Sequence, residues 1–254
     1  LYGLGAIALG AVGIAWGDFA LQWQPVAPWF PGRTVLAYLL SAALVIAGAC
    51  VNDFNPSKDR RGMALGAAAL AGLYSVVVAF MHGPLIFQHP DSFASWSGAA
   101  EQVTLVAGGS AAYACLTQKP GVGNIAVTLM GVCLVIFGVA HFLYLDFTAS
   151  MVPAWLPGGR KFWAVATGVG HIAAGFAFLT GIQRRLAAFA ITAMFGSFSI
   201  LVHLPLLLAD PKAHMNWVMN AINLALTGAA WAVATYLSSL QKAPATEDMQ
   251  QVLQ

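Results

Sequence analysis

Two stretches of this chain are written twice. His82-Gly83-Pro84-Leu85, with Pro90 and Trp96 behind it, returns as His203-Leu204-Pro205-Leu206 with Pro211 and Trp217, every position displaced by the same number of residues. Nearer the start, Gly13-Ile14-Ala15-Trp16 with Pro28, Trp29, Pro31, Gly32 and Arg33 returns as Gly138-Val139-Ala140-His141 with Pro153, Trp155, Pro157, Gly158 and Arg160, the displacement drifting by one or two residues. Self-similarity on this scale constrains the fold more than any local motif, because each copy must adopt the same supersecondary unit. It also supplies an internal comparison. Residues matched between the copies are expected to be scaffold, and unmatched ones mark where one copy has specialised.

Lipid is the solvent this composition calls for. Hydrophobic residues are 59% and charged residues 8% of 254, with a mean hydropathy of +0.76, far from the balance of a water-soluble domain. Apolar runs long enough to span hydrocarbon need about 20 residues each. Such runs fall at roughly 1–22, 34–51, 62–82, 97–117, 125–146, 161–181, 186–208 and 216–238. Residues 1–22 are too long for a signal-peptide core and lack a basic flank, so they read as the first span. Only helices satisfy their backbone within one segment in lipid. The predicted fold is therefore an all-α polytopic membrane bundle of eight transmembrane helices. Residues 1–118 form one four-helix repeat, 119–240 a second, and 241–254 a polar cytoplasmic tail. Four crossings return the chain to its starting side, so the two repeats run parallel.

Orientation follows from the basic residues. Lys58, Arg60, Arg61, Lys119, Arg184, Arg185 and Lys242 fall on one face, and Arg33, Arg160, Lys161 and Lys212 on the other. The first face, with both termini, is expected to be cytoplasmic, in a bacterial inner (plasma) membrane. Its connections are short. The opposite connections are longer and rich in Trp and Pro, as in residues 23–31 and 151–157, and read either as interfacial anchors or as a lid over a pocket. A net charge of +2 with scattered basic residues gives no nucleic-acid signal. Cys50, Cys115 and Cys133 are widely spaced in apolar runs with no CxxC, so they read as packed core thiols. Gly13 with Gly17, and Gly168 with Gly170, suggest close helix crossings.

Ionisable groups inside spans are costly and are candidate functional groups. Asp18, His82, Glu101, His141, Asp146 and His203 fall in the outer half of the membrane, and His171 lies near mid-depth. The apolar inner half argues against a proton or ion wire. His82 and His203 match between copies, each two residues before a proline, which suggests an architectural role in bonding a carbonyl that the proline frees. The others are unmatched: Trp16 stands opposite His141, Asp18 opposite Leu143, Leu21 opposite Asp146, Leu44 opposite His171, and Glu101 opposite Ile222. Asp146, near a helix end, reads as solvated. Glu101, His141 and Asp18 are the expected reactive groups. His171, His203, His82, Gln102 and Trp16 are the expected ligand-binding set. The competing reading of the unmatched groups is a set of polar staples that fix helix register. A quinone needs an apolar slot, a hydrogen-bond donor and a carboxylate or His to manage protons, which Glu101-Gln102 and His141 can supply. Haem b is less favoured, with His141 and His203 the pair at matching depth, and covalent haem is not expected without CxxCH. No metal site is expected.

The Gly/Ala-rich helices, the Gly-Val-Ala-His-Phe and Gly-Ile-Ala-Trp-Gly ends, the Trp/Pro outer loop and the compact second hairpin together resemble the DoxX-like superfamily of bacterial membrane proteins. The resemblance covers nearly all residues to about 238 and is that of two such four-helix units fused. It implies an inner-membrane protein placed near redox partners. The family includes a thiosulfate:quinone oxidoreductase subunit, a methylamine-utilisation protein, and eukaryotic cargo receptors or assembly chaperones. Some members carry cysteine pairs, which this chain lacks, so thiol exchange is not implied. The leading expectation is a redox-associated membrane subunit with a quinone-like or other apolar ligand in the outer half. The alternative is a non-enzymatic assembly or binding factor that docks a redox or periplasmic partner through its Trp/Pro loops. A small-molecule transporter is least favoured.

Overall fold

The computed structural model describes residues 1–52 and 59–240, and among them every regular element is helical. Asp53, Lys58, Lys242 and the tail 241–254 lie outside the described residues. Eight long helices follow one another: α1 Tyr2–Trp16, α2 Arg33–Asn52, α3 Arg60–Gln88, α4 Phe93–Thr117, α5 Pro120–Leu143, α6 Arg160–Thr180, α7 Arg184–Ala209 and α8 His214–Ser239. A short turn of helix, Leu21–Trp23, follows α1, and another, Leu145–Met151, follows α5. Six of the long helices (α2, α3, α5, α6, α7 and α8) are long and apolar enough to cross a membrane. Their outward faces carry large apolar side chains such as Val35, Ile46, Phe80, Ile125 and Ile200, all exposed. A soluble monomer rarely shows so continuous an apolar surface, so the bundle is that expected of an integral membrane protein.

Each helix packs on its neighbours in sequence, and α8 closes back on α1, so the eight form a ring. The ring is pinched across its middle by α4 against α8, the most deeply buried pair. Small residues make the close crossings. A Cβ on Gly3 would lie 2.3 Å from the carbonyl oxygen of Gly48, and one on Gly10 would lie 2.5 Å from that of Ser41, so α1 and α2 touch backbone to backbone. The crossing of α5 and α6 is built the same way, with Gly131 on Gly175 and Gly138 on Gly168. Where no hydrophobic effect separates helix from lipid, such contact is the main source of helix association.

Both α3 and α7 carry a one-turn π bulge, at Val78–His82 and Ser199–His203, just before Pro84 and Pro205. Proline offers no N–H and crowds the carbonyl four residues upstream, and widening the turn relieves both effects. Three tryptophans tie loops to helix starts in one manner. The indole N–H groups of Trp96, Trp163 and Trp217 donate to the carbonyls of Pro90, Pro157 and Pro211 at 3.0, 2.7 and 2.9 Å.

The first helix is shorter than the apolar run that encodes it. Gly17 adopts a left-handed conformation (φ 61°) and caps α1 at Trp16. Gly17 is thus a stop signal and not the second half of a packing motif. The following residues Phe19, Ala20, Trp23 and Gln24 turn back and bury themselves against the bundle.

Candidate functional site

One cavity of about 280 Å³ brings together four of the candidate ionisable side chains. Glu101 from the start of α4, His141 from the end of α5, His171 from α6 and His203 from the π bulge of α7 all line it. Phe137, Phe195, Phe198, Ile222 and Leu226 supply apolar walls, Trp23, Asn223 and Met219 join them, and Ser97, Ala140, Tyr144 and Thr148 also line the cavity. Two larger grooves, about 450 and 590 Å³, are walled almost wholly by apolar side chains. The smaller cavity is therefore where chemistry can occur.

The imidazoles are fixed by their own helices. His141 Nδ1 lies 2.8 Å from the Phe137 carbonyl oxygen, and His171 Nδ1 lies 2.9 Å from that of Thr167. The two rings touch, with centroids 4.8 Å apart. Phe137 meets His171 edge-on at 5.9 Å, and Phe195 lies at 5.6 Å. His171 was expected to sit alone at mid-depth. Instead the glycine crossing of α5 and α6 brings it against His141, because Gly168 leaves the space that the His141 Cβ occupies.

Glu101 accepts a hydrogen bond from the indole N–H of Trp23. Trp23 in turn is held from behind, its backbone carbonyl 3.1 Å from His82 Nε2. His82 is buried and lines no part of the cavity, so it holds the loop that places Trp23. The expectation that both proline-linked histidines bond a freed carbonyl is corrected on each side. His82 reaches a distant loop carbonyl, and His203 leaves its buried Nδ1 without a partner among the described residues. Asn223 Nδ2 donates at 2.8 Å to Phe195 O, which also accepts from the backbone N–H of Ser199 at the start of the α7 bulge. The same amide also donates to Ser199 Oγ at 2.6 Å.

The remaining candidates lie elsewhere. Asp18 sits past the cap of α1 and pairs with Arg33, so it is a loop residue and not part of the helix. Asp146 pairs with Lys161 at 2.9 Å, largely exposed. Trp16 stacks on His214, centroids 4.9 Å apart and 8° from parallel, outside the cavity. Gln102 is fully buried beside Glu101 in sequence, yet neither amide atom has a partner. Asn223 was missed, although a signal existed: it follows Trp217 at the spacing by which Gln102 follows Trp96. Trp23 was read only as part of an interfacial loop. Among the described residues, no group of three or more His, Cys, Asp or Glu is placed to hold a metal ion.

A family described as a domain of unknown function (DUF8561) matches residues 130–235. That stretch includes His141, His171, His203 and Asn223 and excludes Glu101 and Trp23. No curated protein and no solved structure matches the chain.

Proposed function

We propose that this chain is a DoxX-like inner-membrane protein, a tandem duplication of a four-helix unit with eight spans and cytoplasmic termini. In this reading it is a redox-associated membrane subunit that holds a quinone-type headgroup in the outer-half cavity. The carrying observation is the convergence of Glu101, His141, His171 and His203, from four different helices, on one aromatic-walled cavity. A carboxyl and several imidazoles in an apolar slot are what a carbonyl- or hydroxyl-bearing ring needs for orientation and proton exchange. At about 280 Å³ the cavity lies near the lower end of small-molecule sites, roughly 300–1,000 Å³. It suits a ring and not a macrocycle. Haem b, with His141 and His203 as its pair, is the weaker reading, since about 280 Å³ is small for a macrocycle.

The duplication draws support from paired details beyond the sequence match. Asp18–Arg33 and Asp146–Lys161 each join the end of one helix to the start of the next. The glycine crossings of α1 with α2 and of α5 with α6 correspond, as do the two bulges. In this register Asp18 matches Asp146, so Asp18 has a scaffold counterpart and leaves the reactive set. Glu101 and the imidazoles keep their asymmetry.

Extraction of the purified full chain tests the function. Wild-type protein in mild detergent is expected to carry a quinone recovered by solvent extraction and identified by its redox difference spectrum and mass. Ala140→Trp, which fills the cavity from α5, is expected to carry none, and Glu101→Gln less. Equal recovery from wild type and Ala140→Trp places the quinone in the detergent belt and removes the reading. A second reading is favoured by Trp29 and Trp155, 81% and 69% exposed on the outer loops. In it they dock an extracytoplasmic protein, and Trp29→Ser with Trp155→Ser abolishes docking while Ala140→Trp leaves it intact.

A further inference from the structure

We infer that the cavity selects the reduced, hydroxyl-bearing form of its ligand, a hydroquinone, because two of its imidazoles present bare acceptors while the indole and amide donors of its wall are already spent. The inference rests on the quinone-type reading above and deepens it. A backbone carbonyl can only accept, so the Nδ1 atoms of His141 and His171, at 2.8 and 2.9 Å from such oxygens, must carry the protons and donate. A charged imidazolium here would be desolvated and unpaired, so each ring is neutral. Its Nε2, on the side of the ring away from the helix backbone, is then a bare lone pair. Among the described residues neither Nε2 has a hydrogen-bond partner.

The donors that an oxidised quinone would need are committed elsewhere. The Trp23 indole N–H is bound to Glu101. The Asn223 amide N–H groups are bound to Phe195 O and Ser199 Oγ, and the Ser97 hydroxyl is bound to the Ala94 carbonyl at 3.3 Å. Tyr144 brings its hydroxyl at an exposed position and Thr148 at a half-buried one. His203 Nδ1, buried and unpaired, can take either role. Among the cavity's imidazoles a quinone carbonyl would find a donor only in the His203 ring and bare lone pairs at His141 and His171, whereas a hydroquinone hydroxyl would donate to either of those two. Burying facing acceptors without a donor is costly, and supplying the donor removes that cost.

The test is titration calorimetry on the full chain in detergent, under anaerobic reducing or oxidising conditions as each ligand requires. The three probes are durohydroquinone, duroquinone and the dimethyl ether of durohydroquinone, which keeps the ring and removes both donors. Durohydroquinone is expected to bind at least about tenfold more tightly than either of the others, as one or two added hydrogen bonds require. His171→Phe, which extends the Phe137/Phe195/Phe198 cluster and removes one of the two acceptors, is expected to reduce that preference. Should this variant fail to fold, the comparison of hydroquinone with its dimethyl ether on wild type decides alone. Duroquinone binding as tightly as durohydroquinone overturns the selectivity and leaves the quinone site standing. Binding of none of the three overturns both.

Discussion

Replacing Gly168 with alanine tests the close crossing that assembles the site. A Cβ at Gly168 would lie 2.9 Å from the Cβ of His141 and 3.3 Å from the Phe142 ring. Carbon atoms at rest sit about 3.5–4.0 Å apart, so α5 and α6 must separate by roughly 0.6–1.1 Å at this level. Overpacking of this kind costs about 1–3 kcal/mol. Glycine-to-alanine also brings a helix-propensity gain of up to about 1 kcal/mol, which would blur the reading. Gly170, two residues along the same helix, supplies the control. A Cβ there meets only the Met194 sulfur at 3.6 Å, an ordinary contact. Both substitutions carry the same propensity gain, so it cancels in their difference. Gly168→Ala is expected to be less stable than Gly170→Ala by about 1–3 kcal/mol. The midpoint of detergent-induced unfolding, followed by tryptophan fluorescence, reports that difference. The forced separation also opens the 4.8 Å contact of His141 with His171, so ligand recovery should fall in Gly168→Ala and not in Gly170→Ala. Equal stability of the two variants would refute the argument that Gly168 sets the spacing of these helices.

Two further outcomes follow from the same geometry. Asn223→Leu removes two hydrogen bonds, to Ser199 Oγ and to Phe195 O, which keeps the Ser199 N–H, for a loss of about 1–3 kcal/mol at roughly 0.5–1.5 kcal/mol per bond. Gln102→Leu, at the corresponding place in the first half, removes an amide that bonds nothing and is expected to be neutral or stabilising in the same unfolding assay. For orientation, cysteine placed at Trp155 should react with an impermeant maleimide in intact cells, and cysteine at Lys119 only after permeabilisation. The reverse pattern would place the termini outside and invert the proposed topology.

The number and order of the helices were legible because in lipid a helix announces itself by length and apolarity alone. Where they stop was less legible. The run at 1–22 looked like one span, yet α1 ends at Trp16, because Phe19, Ala20 and Trp23 are apolar for a different reason. They belong to a loop folded into the bundle. Hydropathy measures distance from water and does not distinguish a membrane crossing from a buried return. The same blindness hid Trp23, whose neighbours Pro25 and Pro28 suggested an interfacial anchor. The pairing of His141 with His171 was hidden by another cause. Depth was judged by counting along each run separately, whereas contact depends on where two helices cross. That point is set by Gly138 and Gly168, which sequence marks as small and does not mark as partners.

Glu101, His141, His171 and His203, which share the cavity, stand out in the sequence because ionisable groups within apolar runs are rare, but the internal comparison sorted them imperfectly. It placed His82 and His203 together as scaffold, and the structure separates them. His82 props the loop that carries Trp23, while His203 opens onto the cavity with a free nitrogen. The division of labour explains why a matched pair can hold one functional member. In the tandem reading, Glu101 and Trp23 come from the first half, and His141, His171, His203 and Asn223 from the second. The cavity then lies at the seam, where α4 packs on α5 and α8. A lone four-helix unit would bring either the carboxyl with its indole or the imidazoles, never both. On that reading, fusion would let one half keep its bulge histidine as a brace while the other turns its own toward the cavity.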